Sequence, residues 1–443
     1  MLRLVLLLAV VAALGGPAVG RAPDSWPQFR GPSGQGQGGD GELPLTWSES
    51  ENVLWQTPVP GKGWSSPVIA DGRIWVTVAE ETEADEDARQ ALVDAAEKYP
   101  IGDEMVAYAS IRLSAVEFDL ATGSQLRKIE LFDIDSPPPI HGLNSYASPT
   151  PVLVDGRCYC HFGTFGTACV DVATGDVVWR RRFEINHIVG PGSSPILHEG
   201  RLIIPCDGGD QQFVVALDAA TGDTAWKKDR PLIRNSDPDN RKAFATPLAI
   251  EVEGRDQVVI PGAQWFIAYD PADGEEIWRV DHGAGFSNVP APAYDGRHVY
   301  LNTGFGRPQL WAVRPDGQGD VTETHVAWRE LQQVPAMSSP VVADGRLYMV
   351  SDGGVVSCLN AEDGKTLWRE RAPGKYSASP LLAGGRLYFC SHEGRTTVLA
   401  AGPEFQLLAE NDLDGMLMAS PAVVDGDLIL RTDSRLLRIG GGN

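Results

Sequence analysis

The chain has 443 residues, with 37 Lys and Arg against 59 Asp and Glu, so it carries a net charge of −22. That balance, without any cluster of basic side chains, excludes nucleic acid and anionic membrane surfaces as partners recruited by charge. The length would suit two or three ordinary domains, but a repeat running from one end to the other overrides that expectation and lets one closed ring take the whole length.

Residues 1–20 hold Arg3, an apolar run over residues 4–14 and the small-x-small triplet Ala18-Val19-Gly20, which reads as a secretory signal. A retained anchor is the other reading, though the run is short for a bilayer span. No cysteine precedes Cys158, so the chain is not expected to be a lipoprotein. The expectation is a periplasmic or secreted monomer, soluble after cleavage and without a transmembrane segment. Residues 21–50 are rich in Gly, Pro and Gln and cannot form a core of their own, so they read as an extended arm lying over the ring, anchored by Trp26 and Phe29.

From residue 51 to residue 443 the sequence reads as a single domain of short strands. Its clearest unit is residues 337–368. Ser339-Pro340-Val341-Val342 runs to a turn at Asp344-Gly345, Arg346-Leu347-Tyr348-Met349-Val350 runs to Asp352-Gly353-Gly354, a third strand runs to Glu362-Asp363-Gly364, and a fourth ends at Trp368. Asp-Gly and Gly-Gly supply the positive φ of tight hairpins, and the β-branched and aromatic residues between them suit pleated strands. The Pro-centred start recurs at Pro67, Pro149, Pro195, Pro247, Pro292, Pro340, Pro380 and Pro421, with the later spacings at 48, 40 and 41 residues. Such a period predicts an all-β, eight-bladed β-propeller of four-stranded antiparallel blades. The last unit runs out after three strands, whereas Asn52-Val53-Leu54-Trp55 is an orphan Trp-ending strand. The N-terminal strand is therefore expected to complete the last blade and close the ring; an open stack of sheets is the alternative. Blade one departs from the pattern over residues 79–111, where Ala88, Ala91, Leu92, Ala95 and Ala96 at helical spacing predict a short helical insertion ended by Pro100.

In a meander, the turns after strands one and three share one face of the ring, and those after strands two and four share the other. The first face has uniform Asp-Gly turns; the second carries the helix and the long connections 137–146, 186–192, 229–244 and 281–289. Variable loops on a fixed scaffold are where recognition resides, so function is expected there. Residues just before each Pro should ring the axial mouth: Trp64, Tyr146, Gly192, Phe244, Asn288, Met337, Tyr376 and Met418. Such a mouth would suit a flat ligand or a hydrophobic peptide, or its side chains would plug the channel, and both readings stay open.

His141, Asn144 and His187 lie in the long loops, with His161 and His392 at second-strand ends on the same face, but no metal-ligand spacing, paired carboxylates, phosphate loop or nucleophile elbow is present. No catalytic residue and no metal ligand is therefore assigned. Arg314-Pro315-Asp316-Gly317-Gln318-Gly319-Asp320 lacks the acid that would close a calcium loop, and reads as the turn before the fifth Trp strand. A hairpin turning symmetrically through Gly163-Thr164-Phe165-Gly166 would set Cys160 opposite Cys169, a candidate disulfide in an exported protein.

The Ser-Pro start, the Asp-Gly-Arg-Leu-Tyr second strand and the Asp-x-x-Thr-Gly-x-x-x-Trp end resemble the repeats of pyrroloquinoline-quinone-type eight-bladed propellers. Within these the chain is most similar to the exported propellers described as BamB-like, abundant in planctomycetes, through Trp26-Pro-Gln-Phe-Arg-Gly-Pro and Asn144-Ser-Tyr-Ala-Ser-Pro-Thr-Pro. The resemblance implies a non-catalytic scaffold for envelope or outer-membrane proteins, with no cofactor. The alternative it carries is a quinoprotein dehydrogenase with pyrroloquinoline quinone and calcium on the axis. Against that alternative, no two cysteines are adjacent and no counterpart of the calcium ligands is found.

Overall fold

The computed structural model describes residues 24–96, 104–283 and 285–441. The segment read as a signal peptide lies outside them, as do Lys98 and Pro100 at the expected helix end. Eight antiparallel four-stranded sheets hold nearly all of the strands, and the sole α-helix among the described residues is Glu86–Ala96. One sheet gains a fifth member, because Gly319–Asp320 runs parallel to Glu276–Asp281 instead of serving only as a turn.

The short-turn face follows from the backbone. Asp71 and Gly72 adopt φ of 50° and 70°, and Asp155-Gly156, Asp344-Gly345 and Asp425-Gly426 repeat this pair, the two successive left-handed residues of a hairpin turn matched to strand twist. Each blade is held to the next by its outer strand. The Trp179 indole donates to the Ala219 carbonyl at 3.0 Å, and Trp226, Trp328 and Trp368 make the same bond one blade further on at 3.0–3.1 Å. Beneath the Trp179, Trp226 and Trp328 rings lies the next blade's turn glycine, Gly222, Gly274 and Gly364 in turn. At Gly222, where φ is 73°, a Cβ would stand 2.6 Å from the Trp179 ring, so the Thr-Gly turn and the Trp of the repeat are two halves of one contact.

The same contact identifies the closing blade. Trp55 donates to the Leu120 carbonyl of blade one at 3.0 Å and covers Gly123. Its strand, Val53–Pro58, pairs antiparallel with Arg435–Ile439, placing Thr57 opposite Leu436 and Pro58 opposite Arg435. Across this seam the buried Arg431 guanidinium donates to the Ser65 hydroxyl (2.6 Å), the Ser65 carbonyl (2.9 Å) and the Thr77 carbonyl (3.1 Å) of blade one.

Two expectations need correction, and the arm's course is now defined. The insertion is shorter than 79–111: the ladder between Arg73–Glu83 and Tyr108–Asp119 continues through Ala79–Leu113 and Glu81–Ile111 to Glu83–Tyr108. Acid-rich residues 80–83 form a strand because their partner brings the apolar face, Ile111 and Leu113 being fully buried. The Cys160–Cys169 disulfide is not formed. A one-turn 3-10 helix at Gly163–Phe165 displaces the hairpin by one residue, setting Cys160 opposite Ala168 and Cys169 opposite Tyr159, and all six cysteines are free and buried. The arm lies across the ring, with Trp26 fully buried. It enters the axial end on the short-turn face and bonds to the free edges of the inner strands: Trp26 exchanges bonds with Ile69 (2.7 and 2.8 Å), the Leu153 amide donates to Pro27, and Gly36 and Gly38 bracket Leu382. Arg30, fully buried there, reaches the Pro340 carbonyl at 2.6 Å. At Gly36 a Cβ would meet that region's Pro380 carbonyl at 2.9 Å, which is why the arm needs glycine.

Candidate functional site

Each inner strand begins on the long-loop face, and its first residues line a cavity of about 540 Å³ on the axis. Phe29, carried in by the arm, is part of its lining, so the arm forms the floor and the long-loop face the mouth. The residue directly before the proline contributes a belt of hydroxyls. Ser66 N donates to Thr150 Oγ1, Thr150 N to Ser194 Oγ and Ser194 N to Thr246 Oγ1, at 2.9–3.1 Å. After a break, Ala291 N donates to Ser339 Oγ, Ser339 N to Ser379 Oγ and Ser379 N to Ser420 Oγ, at 2.9–3.0 Å. The Ser of the Ser-Pro start is thus an inter-blade acceptor, a role that was not recognised in the sequence although its recurrence was plain. Ser66 Oγ, at the closing seam, is buried and unpartnered.

Two residues further toward the mouth is the rim. Trp64, Gly192, Phe244, Met337 and Met418 line it as expected, whereas Tyr146, Asn288 and Tyr376 do not. These last three are completely buried, with the Tyr146 hydroxyl donating to the Pro138 carbonyl, the Tyr376 hydroxyl to the Pro373 carbonyl and Asn288 Nδ2 to the Asn302 carbonyl. The reason is register. In blade two the belt residue is Thr150, so the matching proline is Pro151 instead of Pro149. In the fifth and seventh blades the rim position is one residue later than the one chosen. Counting three residues back from each correct proline gives Ser148, Val289 and Ser377, and all three line the cavity. On an extended chain the one-residue slips at Asn288 and Tyr376 exchange the channel side for the blade interior, whereas the two-residue slip at Tyr146 places it past the rim, buried with its hydroxyl on the Pro138 carbonyl.

The loop residues divide into wall and scaffold. His141 is on the wall: its Nε2 lies 2.7 Å from Glu104, and its Nδ1 accepts the Leu143 amide. Pairing of Met105–Val106 with Ile140–His141 brings these two residues together. Asn144 also touches the cavity, but its side chain is spent on the loops, donating to Val189 and Pro191 and accepting from Ser145 and Ser148. His187 is half-buried beside Phe244, accepts the Thr164 amide, and is held neutral by desolvation of its ring, its pKa pushed down to about 4. His161 is buried, at about 3, and bonds Thr167. His392 bonds the rim residue Ser377 at 2.8 Å. Lys242, missed in the sequence, is a buried wall lysine whose ammonium is held by the Asp239 carboxylate and carbonyl and faces the Phe286 ring at 5.9 Å. The site is therefore an apolar and aromatic bowl with a hydroxyl belt, suited to receiving a bulky apolar group rather than to transferring protons.

Residues 112–264 and 308–436 match the protein family described as outer membrane protein assembly factor BamB. The chain belongs to this family. A curated relative, the outer membrane protein assembly factor BamB of Yersinia pestis, is 25% identical over 270 residues, which cover 57% of this chain and 62% of the relative. Among solved structures, BamB from Moraxella catarrhalis superposes with a TM-score of 0.54 at 16% identity, covering 75% of this chain and 99% of that one. A quinohemoprotein alcohol dehydrogenase from Pseudomonas putida superposes with a TM-score of 0.62 at 11% identity, covering 95% and 81%. At such identities the structural likenesses establish the fold alone. Among the described residues no helix is long and apolar enough to cross a membrane.

Proposed function

We propose that this protein is an exported, non-catalytic scaffold of the cell envelope that holds a partner protein on its long-loop face, with an apolar side chain of the partner seated in the axial bowl. The observation that carries the reading is the axial cavity itself, lined by Phe29 of the arm and by Trp64, Phe244, Met337 and Met418 on the long-loop side. Exposed Leu143 and Phe305 continue the apolar surface outward. A central apolar pocket ringed by polar loops is the anatomy of a protein-docking hot spot. Partners in outer-membrane protein assembly are in keeping with the family's description.

The quinoprotein alternative draws on fold likeness, and the bowl's donors do not fit it. A quinone tricarboxylate with calcium needs free cations and converging oxygen ligands. Here Lys242 is already neutralised by Asp239, and Glu104 is tied to His141. Among the described residues, the one His and carboxylate cluster within 4.8 Å, His198, Glu199 and Asp256, comes from the short-turn end of its blades.

A photo-crosslinker placed at Trp64 should trap one discrete envelope protein in living cells, and the same crosslinker at Leu126 on an outer strand should not. Replacing Trp64, Met337 and Met418 together by Ala should lower the measured affinity for that protein at least about tenfold, since each anchor carries about 1 kcal/mol or more. Unchanged affinity in a folded triple variant would move the site elsewhere.

A further inference from the structure

Between residues 80 and 112 the chain has ten acidic against three basic side chains, about a third of its net charge of −22. Over residues 80–83 and 108–112 the structure builds part of this run into a ridge. The two central strands of blade one, Arg73–Glu83 and Tyr108–Asp119, have 11 and 12 residues, where their counterparts in other blades have four to seven. The excess length stands above the mouth, and Gln125–Asp135 extends beside it. Its exposed carboxylates Glu83, Asp133 and Asp135 have no cationic partner among the described residues, and they form no metal-sized cluster there. The acidic run also reaches the bowl, because Glu104 lines it and meets His141 there. Inside the bowl, Ser66 is almost completely buried with its Oγ unpartnered.

From this juxtaposition, and resting on the docking reading above, the geometry points to a specific class of partner: a lysine- or arginine-rich polypeptide segment that lies along the blade-one ridge and drops one apolar side chain into the bowl. Unpaired like charges on one flank of an apolar pocket repel each other until a cationic partner arrives, which selects for such a segment and speeds its encounter. Salt screens exposed charges of this kind, so the attraction is strongest at low ionic strength.

The test uses three short fluorescein-labelled peptides: lysines flanking a Leu-Trp pair, glutamates flanking the same pair, and lysines flanking Gly-Ser. The first should bind the full-length protein, more weakly as salt is raised, and the other two at least about tenfold more weakly. Reversing the ridge with Glu83→Lys, Asp133→Lys and Asp135→Lys should weaken the first peptide about tenfold, equivalent to about 1.4 kcal/mol. The same charge change on the opposite face, Asp176→Lys, Glu253→Lys and Glu404→Lys, should leave it unchanged. Equal weakening by both reversals, equal binding of the glutamate peptide, or saturable calcium uptake that the ridge reversal abolishes would each overturn the proposal. If ridge reversal has no effect on the crosslinked partner while the Trp64, Met337 and Met418 triple variant loses it, the cationic assignment falls and the docking face stands. If the triple variant keeps it, the docking face falls.

Discussion

At the scale of single residues, the serines of the Ser-Pro starts join neighbouring blades while facing the bowl. Ser379 Oγ accepts the Ser339 amide at 3.0 Å, and both residues are buried. Ser379→Ala removes the acceptor and strands a buried N–H, which costs about 1–3 kcal/mol. Urea unfolding should show that loss, and Ser379→Thr should recover most of it; an alanine variant as stable as the parent would deny the belt any role in joining blades. The repeating serine was legible in the sequence, but its partner was not, because the bond links residues 40 apart that only the radial arrangement brings together.

At the scale of elements, the clamp between an outer-strand Trp and the following blade's turn glycine explains why both recur. Gly222→Ala adds a methyl group against the Trp179 ring at a φ of 73°, so it is destabilising twice over, by about 2 kcal/mol or more. Part of that cost is the clash, so in a Trp179→Ala background the same substitution should cost less, and the two changes should fail to add. Additive effects in thermal or urea unfolding would show that the contact is incidental. Element ends were less legible. Residues 80–83 fell within the expected helical insertion and fold as a strand because Ile111, opposite Glu81, is buried. Cys160 and Cys169 were one residue out of register because local turn chemistry at Gly163 set the hairpin's phase.

At the scale of the whole molecule, ring closure depends on chain ends that meet only after folding. Arg431 bridges that seam with three bonds to blade one, and burial without a carboxylate pushes its pKa down to about 9. Arg431→Ala removes the donor of the buried Ser65 carbonyl, while Ser65 Oγ keeps the Thr77 amide and the Thr77 carbonyl keeps the Ser65 hydroxyl, a loss of about 2 kcal/mol given the usual strength of bonds to a charged donor. Hydrogen exchange should speed up first in Val53–Pro58 and Arg435–Ile439, the two strands of the seam. Uniform acceleration across all blades, or none, would show that the seam is not the weak point. The arm adds a second closure by binding inner strands of several blades through one continuous segment.

The sequence by itself determined the repeat, the eight blades, the short-turn and long-loop faces and most of the rim, because periods of two and of about forty are carried by local turn chemistry and side-chain alternation. Tertiary structure alone decided that Phe29 floors the bowl, that Lys242 is buried in its wall, and that Tyr146, Asn288 and Tyr376 turn inward. Those outcomes rest on contacts between segments distant in sequence, or on a phase of one or two residues that local preference leaves undetermined and packing against the neighbouring blade fixes.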